Sequence, residues 1–151
     1  MTTPRLCTPD DREKVLEYVS AEPEMAVFIT GDIEQFGMTD PVNVYAFERA
    51  DGSWDGIVCK FFANFVCYAR ESRFDAEAMA GLIREQAGEC FLGSVNGKYE
   101  TVVALAPYLS ELDMRTLNLA GLTEVAHDQI APAPDGTTIR VLGEDDYDEL
   151  F

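Results

Sequence analysis

Side chains able to do covalent or proton-transfer chemistry are few in kind. The 151 residues hold four cysteines, Cys7, Cys59, Cys67 and Cys90, and one histidine, His127. A cysteine nucleophile works as its thiolate, which needs a nearby base or a positive field. Each cysteine lies in an apolar run of strand character, and His127 lies in a loop far along the chain. The stronger reading is four reduced, unpaired thiols acting as small buried hydrophobes. Cys59 and Cys67 are the pair that a hairpin would bring nearest. No C-x-x-C pair occurs, and a single histidine with no Cys/His cluster argues against a zinc site. Residue type and spacing therefore assign no catalytic, cofactor-binding or metal-ligating residue to this chain.

The remaining reactive groups are carboxylates. Asp and Glu number 28 against 11 Lys and Arg, a formal net charge of −17. Such a field repels nucleic-acid phosphates and anionic lipid, which excludes both as partners, and it attracts a cationic partner or a cationic amine substrate. Most of the acids fall on polar helix faces, where solvation accounts for them. That makes an enzyme working through scattered acids of this chain the weakest of the functional readings. No window approaches the ~18 apolar residues of a membrane span, and Met1–Asp10 has no apolar signal core. The localisation this implies is cytoplasmic.

The elements that must position these groups read as a mixed α+β domain with an antiparallel meander and about four helices on the sheet. Arg5-Leu6-Cys7 is a short strand. Thr8, Pro9, Asp10 and Asp11 then open a helix with an N-cap, a proline at the first position and acids in the first turn. Pro23 opens a second helix with Met25, Phe28, Ile29, Ile33 and Phe36 at helical spacing and Gly37 as its stop. Gly31 inside it costs about 1 kcal/mol relative to Ala. Asn43–Arg49 alternates with Tyr45 and Phe47 on one face, Asp51-Gly52-Ser53 is a turn, and Ile57–Phe62 and Phe65–Ala69 are two more strands joined at Ala63-Asn64. Phe61, Phe62, Phe65 and Tyr68 are candidates for a binding wall, with core the stronger reading. Asp75 caps a third helix, with Phe74 and Met79 as a hydrophobic staple and Gly88 as its end. Cys90-Phe91-Leu92 is expected to be a short strand. Gly97–Leu105 is expected to be a fourth helix with Tyr99, Val102, Val103 and Ala106 on one side and Pro107 breaking it. Met114–Leu119 is expected to be a strand.

The domain thus covers residues 1–128, followed by a Pro/Gly-rich linker over 129–137. The segment 138–151 then echoes the opening. Arg5, Asp10 and Asp11 lie over Arg140, Asp145 and Asp146 at a constant offset, 140 − 5 = 146 − 11 = 135, and the apolar positions match. Both stretches read as strand, capping residue, acidic first turn and helix, so 138–151 is expected to be the truncated start of a second such domain. A strand and half a helix cannot bury Val141, Leu150 and Phe151 alone, so a two-fold homodimer involving this tail is expected of the fragment.

The acidic helix opening, the second helix, the meander and the following helix resemble the GNAT superfamily of N-acetyltransferases. More narrowly, Phe28–Gly37, the hairpin Phe61–Tyr68, and Gly97-Lys98 through Pro107-Tyr108-Leu109 resemble the N-terminal half of bacterial tandem GNAT proteins. The resemblance covers most of residues 4–125. It implies a divergent half that precedes a C-terminal half binding acetyl-CoA, so the partner it implies is the chain's own second domain. In that family a Q/R-x-x-G-x-G/A loop at a helix N-terminus holds the CoA pyrophosphate on backbone N–H groups. The corresponding segment here, Arg70-Glu71-Ser72-Arg73-Phe74-Asp75, has no glycine and carries two acids, and Arg84-Glu85-Gln86-Ala87-Gly88 has the wrong spacing and closes a helix. The resemblance therefore implies the fold and a non-catalytic half, with no cofactor in this chain. A free-standing binding or assembly module with a degenerate GNAT-like fold is the alternative.

Overall fold

Apolar alternation through the middle of the chain becomes three consecutive strands, β2 (Val42–Glu48), β3 (Trp54–Phe61) and β4 (Asn64–Tyr68), in the computed structural model, which describes residues 2–88, 92–113 and 135–136. Before them come β1 (Thr3–Leu6), α1 (Arg12–Val19) and α2 (Val27–Phe36), and after them α3 (Ala76–Ala87), β5 (Ser94–Gly97) and α4 (Tyr99–Leu105). The sheet has five strands in the order β1-β2-β3-β4-β5. Pairing is antiparallel as far as β4, and β5 joins parallel to β4. A parallel pair needs a long crossover, and α3 supplies it. The chain divides into two compact units, Met1–Ala120 and Gly121–Phe151, and all of these elements lie in the first. The architecture is therefore α+β with a mixed sheet and four helices.

Strand parity sorts the core into two layers. Val44, Ala46, Ile57 and Cys59 face α1 and α2, where Val15, Val19, Ile29 and Ile33 are buried. Phe47, Val58, Phe65 and Cys67 face α3 and α4, where Met79, Leu82, Ile83 and Leu105 are buried. Tyr45 and Phe47 share a face as the alternation predicts. Both faces of the meander are covered, which is why its central strands read as nearly continuous apolar runs.

Local signals at the helix ends behave as their chemistry requires. The Thr8 N–H donates to Asp11 Oδ2 at 2.8 Å, and the Arg5 guanidinium forks onto both Asp11 oxygens at 2.8 and 3.0 Å. This staples β1 to the entry of α1. Gly37 and Gly88 close α2 and α3 at φ values of +80° and +60°.

Three expectations are corrected. Of the strand placed at Cys90–Leu92 only Leu92 is described, and it lies outside the ladder; the strand that pairs with Asn64–Cys67 is Ser94–Gly97. Leu92 packs against the α3–α4 layer without joining the ladder, so its apolarity reports burial rather than strand pairing. Gly97 belongs to that strand and not to the helix, because a Cβ there would lie 2.1 Å from the Cys67 carbonyl oxygen. The buried side of α4 is Thr101 and Leu105, while Tyr99 and Val103 are exposed. The way β5 delivers the chain sets that rotation, and the apolar count does not. Cys90, Phe91, the strand expected at Met114–Leu119, His127, most of the linker, and the tail at 138–151 with the dimer contact expected of it lie outside the described residues.

Two glycines test this packing in opposite directions. Nothing lies within 4 Å of a Cβ built on Gly31, so Gly31→Ala is expected to stabilise the chain by about 0.5–1 kcal/mol through helix propensity. Gly97→Ala must push on backbone and is expected to cost about 2–4 kcal/mol. Urea unfolding of the two variants checks both signs.

Candidate functional site

The loop from β4 into α3 is the place where this topology could hold an anion, since a helix N-terminus presents unpaired N–H groups and the positive end of the dipole. Here the chain's own carboxylates occupy it. Asp75 Oδ1 accepts the Ala78 N–H at 3.1 Å, and Asp55 Oδ2 accepts the Asp75 N–H at 2.8 Å. Asp55 is 7% exposed, and its second oxygen takes the Arg49 guanidinium. Glu71 stands 3.5 Å from the same guanidinium. The concavity in front of these groups, about 370 Å³, is lined by Asp55, Glu71 and Asp75 against Arg49 and Arg73.

A neighbouring concavity of about 350 Å³ shares Arg49, Asp55 and Glu71 and extends to Lys14, Tyr18, Trp54 and Arg70. Its cations are already engaged. Arg70 donates to the carbonyls of Tyr18 and Glu17, both at 2.9 Å, and its guanidinium lies 4.5 Å from the Tyr18 ring centre. The Lys14 amine stands 4.3 Å over Trp54. Arg70 thus caps the C-terminal carbonyls of α1, where a positive charge is favoured. The residue that follows β4 by two thus ties α1 to the sheet.

The carboxyl ends of parallel strands are where a ligand crevice usually opens in such sheets. At that end of β4 and β5 the gap is bridged. Lys98 Nζ reaches both Glu22 oxygens at 2.8 Å, and the Tyr68 hydroxyl donates to Glu22 Oε2 at 2.9 Å. The Lys98 hydrogen bond, helped by Tyr68, holds Glu22 below the usual carboxylate range. Burial, and then the Glu22 carboxylate, push the Tyr68 phenol well above its usual range, so it keeps its proton and serves as a donor. Sequence reasoning missed this trio and the Asp55–Arg49 pair. Glu22 lies 46 residues from Tyr68 and 76 from Lys98, and no local pattern marks such a meeting.

Cys7, Cys59 and Cys67 are free and buried. Burial raises Cys7 to about 11 and Cys59 to about 12, and it raises Cys67 further. Cys59 and Cys67, the pair a hairpin would bring nearest, lie one register step apart: Cys59 is opposite Val66 and Cys67 opposite Val58, so the two face opposite layers. Of the four proposed wall aromatics, Phe65 and Tyr68 are core, while Phe61 is half-buried and Phe62 is 65% exposed. Among the described residues no three His, Cys, Asp or Glu converge as metal ligands, and no helix is long and apolar enough to cross a membrane. Comparison with family models, curated proteins and solved structures finds no match to this chain.

Two measurements follow from this geometry. Glu22 ionises more readily when folded, so its pair stabilises fully above its usual value of 4.5 and loses that effect as pH falls through the lowered folded value. Lys98→Met is therefore expected to cost about 1–2 kcal/mol in urea unfolding at pH 7, and clearly less at about pH 3. Iodoacetamide is expected to leave Cys7, Cys59 and Cys67 unmodified in the native reduced chain and to label them once it is unfolded, as peptide mass mapping reads directly.

Proposed function

We propose that this chain is the N-terminal, non-catalytic, GNAT-like half of an acyl-CoA-dependent N-acetyltransferase, whose acetyl-CoA site belongs to a second half following residue 151. The observation that carries the reading is the N-terminus of α3. In the resembled fold that helix end takes the CoA pyrophosphate, and here it is capped by Asp75, buttressed by Asp55 and fronted by Glu71. A pyrophosphate would have to displace one carboxylate and approach two more, and like charges at such range repel strongly.

Two further observations support the reading. The element order strand, two helices, three-stranded meander, helix, strand and helix agrees with the resemblance carried by Phe28–Gly37 and Phe61–Tyr68. The echo at Arg140 and Asp146 repeats the residue types of Arg5 and Asp11, the two that staple the opening strand to the first helix. A half of this kind packs on its partner, and its negative field steers a cationic amine toward the joint site. The alternative, a stand-alone binding module, draws on the exposed aromatic rings of α2 and the β3–β4 turn.

Titration calorimetry of residues 1–151 with acetyl-CoA is expected to show no saturable binding, and micromolar saturation would overturn the non-catalytic reading. The mass of the native protein from its source cells is expected to exceed that of this chain. A native protein ending at Phe151 would overturn the two-half reading.

A further inference from the structure

The second helix leaves most of its circumference uncovered. α2 buries only Ile29 and Ile33 and exposes Val27, Phe28 (56%) and Phe36 (42%). Its C-terminal end runs into a stack of rings. The centroid of Phe36 lies 5.2 Å from that of Phe61, and Phe61 lies 4.8 Å from Phe62 at the tip of the β3–β4 turn. Single exposed apolar residues are ordinary, but a connected aromatic surface is not.

Two backbone facts set this surface apart from leftover core. Phe62 sits at φ +53°, a left-handed position that glycine or asparagine would meet more easily, yet it is an aromatic residue held in water. Gly31 is exposed about one turn on from Phe28, with open space where a Cβ would be. The helix gives up propensity there without any internal contact in return, and what remains is a notch that lets another backbone come close.

The charge around the rings decides what fits. No Lys or Arg occurs between Lys14 and Arg49. Glu24, Glu34 and Asp40 are exposed, and Asp32 is half-buried. The nearby basic residue on β3, Lys60, has the strand parity of the α3 layer and gives its amine to the Gln86 carbonyl at 2.8 Å. The residues described along this helix and its flanks therefore carry one sign. A second copy would bring the same acids and a charge of −17 against it.

From these observations we infer that the outer face of α2, with the Phe36–Phe61–Phe62 stack, is a docking surface for a basic amphipathic helix of another protein. Apolar anchors of that helix would lie on the rings and across the Gly31 notch, and its Lys or Arg residues would meet the acidic rim. This surface is separate from the α3 helix end on which the proposed function rests.

The test uses the full chain and a fluorescent synthetic helical peptide of leucine and lysine in amphipathic order. The controls are the same peptide with glutamate for lysine, and a serine/lysine peptide of equal charge. At physiological salt the leucine/lysine peptide is expected to bind at micromolar Kd, and the glutamate peptide is not. Phe28→Ser combined with Phe62→Gly is expected to weaken binding about tenfold or more, with unfolding checked by circular dichroism. Gly31→Ala is expected to raise Tm yet weaken binding several-fold, a split that loss of fold cannot produce. Leu6→Ser, exposed on β1, is expected to change nothing. Absence of binding by the unaltered chain overturns the inference. So does equal binding by the aromatic variants or by the serine/lysine peptide, which would mean charge alone. A dimer in sedimentation that the aromatic variants dissolve would make a second copy the occupant and would equally overturn it.

Discussion

The seating of β5 beside β4 is the constraint on which much of this domain rests. Gly97 lies so close to the Cys67 carbonyl that no side chain could stand there, and the parallel pair closes over Asn64–Cys67 because of it. The next residue, Lys98, is thereby delivered to Glu22, and Glu22 to the Tyr68 hydroxyl. The same closure sets where α4 begins, and so which of its residues, Thr101 and Leu105, turn inward. It also makes α3 a crossover helix whose N-terminus must sit at the end of β4, beside Asp55.

An acidic chain has many carboxylates to place, and this one uses several as internal ligands for its own backbone and cations. Asp11 receives the Arg5 fork and the Thr8 N–H, and Asp75 caps α3. Asp55 holds both Arg49 and the entry to α3. Pairs such as Arg5–Asp11 are too exposed to add much stability, and their effect is geometric, fixing how a strand enters a helix. The functional consequence is subtractive. The end of α3 and the Arg49 and Arg70 cations are engaged in holding the fold, and the proposed supporting role draws on that. Glu24, Glu34 and Asp40 are exposed on or next to α2, where they define a sign rather than a bond.

Much of the fold is legible in the sequence alone. The meander, the Thr8 and Asp75 caps and the Gly37 and Gly88 stops all follow from signals confined to a few adjacent residues, because capping chemistry and strand alternation are local. The charge of −17 and the lack of a glycine-rich phosphate loop were equally plain, since composition and motif need no folding to be counted.

What tertiary structure alone decided were the meetings between distant segments. Cys59 and Cys67 face opposite layers because the β3–β4 register sets each against a neighbour of the other, a one-residue matter that flips a side chain through the sheet. Leu92 is packed but outside the ladder, and Gly97 is within it, because burial and strand pairing draw on the same residue types and only the partner strand tells them apart. Glu22, Tyr68 and Lys98 are unremarkable in their own surroundings, and their joint chemistry exists only because the loop after α1, the end of β4 and the start of α4 arrive at one point. A sequence by itself records how each segment prefers to fold; which segments then touch depends on packing across tens of residues, which no local period encodes.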